Sequence, residues 1–442
     1  MPPGSLWLRA RPLMAGRAVS ALAGIALPML VARLLTPADY GTYKQLFLVS
    51  ALAAYSLQFG LAQSLLYFVP RSRDEAERAG HIGQTHAMLL VIGVATGLGL
   101  FTFAPRLARS FSNPGLEKVA LPLAVMAGAL VASAALETTQ TACGRLKRGG
   151  GLLMGSELLR IVLLVAAGLL GFGVGGIAWA GAAAALARCL TALALIGDLG
   201  KVGFSRERAV EQLRYALPFG ASVLVLQQQQ QLHQLFVAAH ETPARFALYA
   251  VGSMQVPVVG LLYAPLSETL QVRLAALERD GRSAEAGEAF AEVVERLASL
   301  LLPLAALMAA TARPALVLLY GPAYAGAANV LALSAASVAA ASLPLDGVFK
   351  ARGRTGWLLF VAGLKLAATW PSVALGWRLG GLAGAMAGQV AVELTARAGQ
   401  LAMLSRDLRS PVVRLLGGGD ALRAALTALG IGMGAATAVR LI

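Results

Sequence analysis

Twelve apolar runs, each long enough to cross a bilayer as a helix, govern what this chain can fold into. They lie near residues 13–33, 43–69, 84–104, 119–139, 152–172 and 177–196, then near 215–238, 246–270, 290–312, 327–347, 356–376 and 381–404. A thirteenth, 422–441, is glycine-rich and bounded by Arg423 and Arg440. A spanning helix needs about 20 mostly apolar residues. Of the 442 residues, 57% are hydrophobic and 13% charged, where soluble domains average about 45–50% and about 25%. The expectation is an all-α polytopic membrane protein. The first run follows a basic, signal-like start, but it is too long and lacks a clear cleavage site, so it reads as a first spanning helix.

The connecting segments orient the spans. Loops on one side carry 22 lysines and arginines, and loops on the other carry six: Arg106, Arg109, Lys118, Arg245, Arg313 and Arg378. Positive charge stays cytoplasmic, which puts the N-terminus inside; the richness in Ala, Gly and Arg suggests a bacterial source, and with it a bacterial inner membrane as the expected location. The net charge of +15 does not point to nucleic acid, because the basic residues are dispersed rather than gathered in one patch. Cys143 and Cys189 stand without a CxxC or histidine-rich neighbourhood, so neither a disulfide framework nor a metal site is expected. The longest loops, 197–214 and 271–289, are both cytoplasmic and too short for a soluble catalytic domain.

One phrase is written twice. "TPADYGTY" occupies 36–43 and "TPARFALY" occupies 242–249, 206 residues later. Thr36 is placed to cap a helix that begins at Pro37, with Asp39 completing a capping box. Tyr40 and Tyr43 are then expected at the outer membrane surface. In the second copy Arg245 replaces Asp39, and the box is lost. Each phrase leads into a long apolar run and then a mixed-charge segment, "PRSRDEAERAG" and "ALERDGRSAEAG". The expectation is an internal duplication of six helices each. An even number keeps both halves in the same orientation, and two such bundles enclose a central cavity. The divisions are 1–200 and 201–410 for the two six-helix bundles and 411–442 for the additional helix.

The stretch "VARLLTPADYGTYKQLFLVSALAAYSLQFGLAQSLLYFVPR" resembles the opening of bacterial oligosaccharide flippases, the polysaccharide biosynthesis and export proteins. "LRYALPFGASVLVL", "LLYGPAYAGAANVLALSAAS" and "ARGRTGWLLFVAGLKLAATWPSVALGWRLGGLAGAMAG" are similar to later parts of that family. The resemblance covers nearly the whole chain. It groups the chain with lipid II flippases and multidrug and toxin extrusion exporters. It implies two six-helix bundles around a cavity worked by alternating access, and a glycan on a polyprenyl pyrophosphate as cargo. The family's seventh helix often carries an Asp-Arg-like pair where this chain has His233 and Gln234.

Polar side chains inside spans are costly and mark function or pair with one another. Lys365 and Glu393 fall at similar depth on neighbouring spans. Two readings stand: structural pairing, or a coupling site that exchanges protons. Arg160 and Arg188 precede them by 205 residues each, which suggests equivalent positions in the two halves. Glu157 and Arg160 have i, i+3 spacing for a pair. By analogy with the family, Arg17 on the first helix is a pyrophosphate ligand, since guanidinium makes bidentate contacts with phosphate oxygens; snorkelling is the alternative. The run Gln227, Gln228, Gln229, Gln230 and Gln231, with His233, offers hydrogen bonds to sugar hydroxyls. Gln58, Gln63 and Glu268 are expected to complete that lining. The spacing of Gly380, Gly384 and Gly388 suits helix packing.

Together with these features, the resemblance implies a flippase moving a lipid-linked oligosaccharide to the outer leaflet for cell-surface polysaccharide assembly, and this is the expectation. It is not an enzyme and needs no cofactor beyond a coupling H+ or Na+; polysaccharide polymerases are candidate partners. A multidrug or cation antiporter keeps the fold and changes the cargo. A membrane polymerase or ligase would need catalytic carboxylates or a sizeable outer loop.

Overall fold

The computed structural model describes residues 3–197 and 204–416, apart from 255, 281, 283, 284 and 409, together with 427. The side chains of 3–15, 17, 18, 197, 226, 279 and 355 lie outside that description, as does the expected thirteenth run except for 427. Among the described residues the regular structure is helical. Helices α1 (Pro3–Leu34), α2 (Pro37–Leu57), α3 (Leu61–Phe68), α4 (Glu75–Ser110), α5 (Gly115–Lys118), α6 (Ala120–Ala132), α7 (Leu136–Ala142), α8 (Leu146–Leu169) and α9 (Gly173–Gly197) make the first half. Helices α10 (Arg206–His240), α11 (Pro243–Gly252), α12 (Pro257–Arg279), α13 (Ala286–Ala310), α14 (Ala312–Tyr320), α15 (Ala328–Ala340), α16 (Leu345–Ala351), α17 (Thr355–Asp407) and α18 (Val412–Leu415) make the second. Seven of the described helices are long and apolar enough to cross a bilayer, or up to nine when each bent pair counts as one span. This is a multi-pass membrane protein. All twelve expected runs fall on helices; the last two are the arms of α17, which reverses at Gly380 and Gly381, where φ is −146° and +57°.

The repeated phrase starts a helix in both places. Thr36 Oγ1 accepts from the Asp39 amide at 3.2 Å, which caps the helix, and donates to the Asp39 carboxylate at 2.8 Å; the expected box differs in that the carboxylate takes the Thr36 hydroxyl rather than the Thr36 amide. Thr242 keeps only a 3.4 Å contact from the Arg245 amide, while Arg245 turns back to Glu241 at 2.6 Å. Tyr40, Tyr43, Phe246 and Tyr249 are all buried. The expected interfacial role of Tyr40 and Tyr43 therefore gives way to core packing, with ring centroids 5.5 Å apart. The two copies also meet: a Cβ on Gly41 would lie 1.8 Å from the Pro243 carbonyl oxygen, so α2 and α11 approach backbone to backbone there.

Packing sorts the chain into two compact units. One contains the described residues up to Gln228 together with Ala238–Ala247; the other contains Gln229–Val237 and the described residues from Leu248 on. In the first unit α1 lies along α8, with Gly16 against the Gly150 backbone, and α4 lies along α6, with Gly93 against Gly128. Phe59 and Gly60 take positive φ, 46° and 73°, where α2 breaks from α3. Gly60 there abuts Ala216 and Gly220 on the first turns of α10. Those turns are tied to α4 by Gln212, which donates to Thr85 at 2.9 Å and accepts from Gln84 at 3.1 Å. In the second unit, α13 packs against α12 and α15 around Phe290, Leu297, Leu301 and Phe349. The α17 arms close on Gly376, Gly384 and Gly388. The expected glycine stripe thus holds at 384 and 388, while Gly380 makes the reversal.

The halves share a backbone register. The short helices α7 and α16 both have seven residues and start 209 apart. Gly144 and Gly353 have φ of 72° and 67°. The following arginines, Arg145 and Arg354, have φ, ψ of −88°, 52° and −85°, 46°. The offset of 206 at the phrase has thus grown to 209. This corrects the pairing of positions 205 apart: Arg160 matches Thr369, and Arg188 matches Arg397. Lys365 matches Ser156, and Glu393 matches Ala184.

Candidate functional site

Each unit holds a cavity walled by its own helices. In the first, α1, α2, α6, α8 and α9 enclose about 580 Å³, and Gln58, Gln63, Arg160 and Arg188 line it with Ser20, Ser50, Ser156 and Glu157. Four expected site residues are therefore brought together. In the second unit, α10, α12, α15 and α17 enclose about 460 Å³, lined by Gln229, Gln230, His233, Lys365 and Glu393 with Gln389 and Arg397. That gathers five more.

The two cavities occupy matching positions. Phe47, Ser50 and Ala54 line the first; Ser253, Val256 and Gly260, each 206 further on, line the second. Ser156, Ala184 and Arg188 line the first; Lys365, Glu393 and Arg397, each 209 further on, line the second. The scaffold is shared and the charges are not. In the first cavity Arg160 bonds Glu157 at 2.6 Å, as its spacing suggested, and Arg188 bonds Glu137 at 2.5 Å. Each arginine has its own carboxylate. Arg188 also reaches Ser156 at 3.4 Å, and the Gln63 carbonyl oxygen is buried without a partner. In the second cavity Lys365 and Arg397 share one carboxylate, that of Glu393, at 2.5 and 2.7 Å. Arg397 further donates to the Leu343 carbonyl at 2.9 Å. Asp346, the match of Glu137, instead binds Lys350 at 2.9 Å and accepts from the Tyr263 hydroxyl.

The glutamine run does not act as one lining. Gln228 donates to Ser56 at 2.5 Å in the first unit, while Gln229 and Gln230 face the second unit's cavity. Gln227 and Gln231 are half-buried and line neither cavity. His233 is buried against Tyr249, its Nδ1 2.8 Å from the hydroxyl, so this ring is engaged in core packing at the cavity edge. Glu268 is exposed on α12 and joins neither cavity, contrary to the expected lining. The side chain of Arg17 lies outside the described residues. Sequence reasoning passed over Arg397, Glu137 and Gln389. Arg397 was findable as the i+4 neighbour of Glu393. Glu137 sits at the end of a span with its partner 51 residues away, which no local spacing announces. Among the described residues no group of three His, Cys, Asp or Glu is placed to hold a metal ion.

Comparison with known proteins bears on this architecture. The profile of a family described as "Polysaccharide biosynthesis protein" matches residues 30–329, more than half of the chain. No curated protein sequence matches it. Among solved structures, the lipid II flippase MurJ in an inward closed conformation aligns with a TM-score of 0.77 at 10% identity, covering 94% of this chain and 90% of that one. An inward-facing multidrug resistance MATE family transporter of the MOP superfamily aligns with a TM-score of 0.72 at 16% identity, covering 88% and 94%. A MOP superfamily transporter from Pyrococcus furiosus, described by a binding pocket of reverse polarity, aligns with a TM-score of 0.59 at 17% identity, covering 91% and 96%. At these identities the likeness is one of fold.

Proposed function

We propose that this chain, which belongs to the polysaccharide biosynthesis protein family, is a flippase. It carries a polyprenyl-pyrophosphate-linked oligosaccharide from the cytoplasmic to the outer leaflet of the inner membrane by alternating access. The observation that carries the reading is the first unit's cavity. Helices α1, α2, α6, α8 and α9 line about 580 Å³ with two arginines, two glutamines and three serines. Amides and hydroxyls there can exchange hydrogen bonds with sugar hydroxyls that would otherwise cross hydrocarbon unsatisfied. The prenyl tail stays in the bilayer. No bond is made or broken, and H+ or Na+ supplies the coupling. Arg17, on α1, is the proposed pyrophosphate ligand. The bias of basic loops supports an N-terminus inside, and a polysaccharide polymerase is the proposed partner downstream. A cationic-drug exporter is disfavoured because the carboxylates of both cavities are already paired with this chain's own cations.

The test is made in cells lacking the protein. Completed lipid-linked glycan trapped on the cytoplasmic face, and released when the gene is restored, supports the flippase. Unchanged glycans with raised drug sensitivity point to an exporter. Incomplete glycans on the outer face point to a polymerase or ligase.

A further inference from the structure

The second unit's cavity carries a charge that no acid among the described residues balances. Lys365 and Arg397 both bond Glu393, and among the described residues no second carboxylate bonds either cation. The other acids of α16 and α17 are occupied: Asp346 by Lys350 and Tyr263, and Asp407 by Arg352 and Arg354. The three side chains are only 17–21% exposed. A buried cation without a counter-charge is strongly disfavoured. The first unit, at the matching position, avoids the problem by giving each arginine its own acid.

We infer that the second unit's cavity is an anion site, occupied by a small anion of the phosphate or halide class that completes the Lys365–Glu393–Arg397 cluster. The surrounding chemistry suits one. Gln229, Gln230 and Gln389 bring three amides to the cavity wall beside Ser334 and Ser337. Gln389 is 9% exposed and its carbonyl oxygen has no partner among the described residues, so no bond to that oxygen holds the amide against the rotation that presents its NH2 donor to an anion. His233 is the other titratable group on the wall, and its Nδ1 is engaged with Tyr249. The volume of about 460 Å³ admits an oxyanion together with water. Two sources share this chemistry. A free anion can enter from water, and a lipid phosphate can approach along the mostly apolar groove between the α17 arms, which Lys365 also lines. The site stands apart from the transport reading, because its test reads binding rather than flipping.

The full chain is placed in zwitterionic lipid nanodiscs, and its thermal unfolding midpoint is followed while gluconate is replaced by chloride or inorganic phosphate at constant ionic strength. A second series keeps gluconate and adds phosphatidylglycerol to the disc. An anion that binds only the folded state raises the midpoint with concentration. A rise with free anions identifies the aqueous source; a rise only with phosphatidylglycerol identifies the headgroup. In either case Lys365→Met, which leaves the satisfied Glu393–Arg397 pair, weakens the apparent affinity by about tenfold or more. Glu393→Gln, which leaves both cations without their carboxylate, tightens it by about tenfold. A midpoint indifferent to anions in both series overturns the site. So does a dependence that is the same in Lys365→Met as in the unaltered chain.

Discussion

The first unit and the second begin from one helical plan and finish it differently. Helix α1 lies along α8 in the first unit. Its counterpart in the repeat, α10, packs its opening turns on α3 and α4 and gives only Gln229–Val237 to the second unit. The cavities follow the same rule: matched backbone, unmatched charge. A duplicated fold conserves what the backbone requires, such as the glycine turns at 144 and 353, and leaves the cavity side chains free to diverge. Where the first cavity resolves its cations in separate pairs, the second concentrates them on Glu393.

The sharpest way to break this comparison is to remove that shared carboxylate. Glu393→Ala leaves the half-buried Lys365 and Arg397 without their carboxylate, Arg397 keeping only its bond to the Leu343 carbonyl, and a loss of about 3–5 kcal/mol is expected. Lys365→Ala leaves Arg397 on Glu393 and is expected to lose about 1 kcal/mol. The double change Lys365→Ala with Glu393→Ala is expected to be milder than Glu393→Ala alone, since one cation fewer is stranded. Unfolding midpoints in one lipid composition measure all three. A double variant worse than Glu393→Ala would show that the cluster is not a shared pair.

The next contrast sets Glu137 against Asp346, which occupy the same register position. Glu137→Gln strands the partly buried Arg188, whose side chain is 18% exposed, and a loss of about 3 kcal/mol is expected. Asp346→Asn breaks a pair whose members are 33% and 47% exposed, and about 1 kcal/mol or less is expected. Equal losses would mean that the register match carries no difference in environment.

A pair of glycines tests the packing half of the comparison. A Cβ on Gly384 would stand 2.0 Å from the Gly376 carbonyl oxygen, whereas one on Gly175, 209 residues earlier, meets nothing within 4 Å. Gly384→Ala forces the α17 arms apart and is expected to lose about 1–3 kcal/mol. Gly175→Ala is expected to be neutral or to gain up to about 1 kcal/mol from the intrinsic preference of alanine for helix. A loss at Gly175 equal to that at Gly384 would remove the asymmetry.

Much of the fold was legible because the bilayer imposes length. All twelve runs within the described residues fell on helices, and the cap at Thr36 was read from four residues. The site was half legible. Polar residues inside apolar runs announced themselves, and the two cavities collected Gln58, Gln63, Arg160, Arg188, Gln229, Gln230, His233, Lys365 and Glu393. Which of them share a cavity was not legible, because that depends on α10 being divided between the units partway through its glutamines. The 205-residue match of charges failed for a similar reason: an offset of 206 at the phrase has become 209 by the starts of α7 and α16. Identity at a fixed spacing misses insertions that backbone geometry reveals. The burial of Tyr40 and Tyr43 escaped because an aromatic near a span end suits either an interface or a helix contact, and only the approach of Gly41 to Pro243 decides between them.

The smallest effect expected lies in the repeated phrase itself. Thr36 both accepts from the Asp39 amide and donates to its carboxylate, so Thr36→Ala removes a complete cap at the start of α2, and about 1 kcal/mol is expected. Thr242 has only the long contact to the Arg245 amide, while Arg245 is held by Glu241. Thr242→Ala is therefore expected to lose no more than about 0.5 kcal/mol. Installing the first copy's acid by Arg245→Asp would bring back the partner of the first cap but replace the Arg245–Glu241 ion pair, whose acid is 8% exposed, by two like charges, so a net loss is expected despite the better cap. If Arg245→Asp instead stabilises the chain, the second copy is a degraded cap and not one rebuilt around the Glu241 pair.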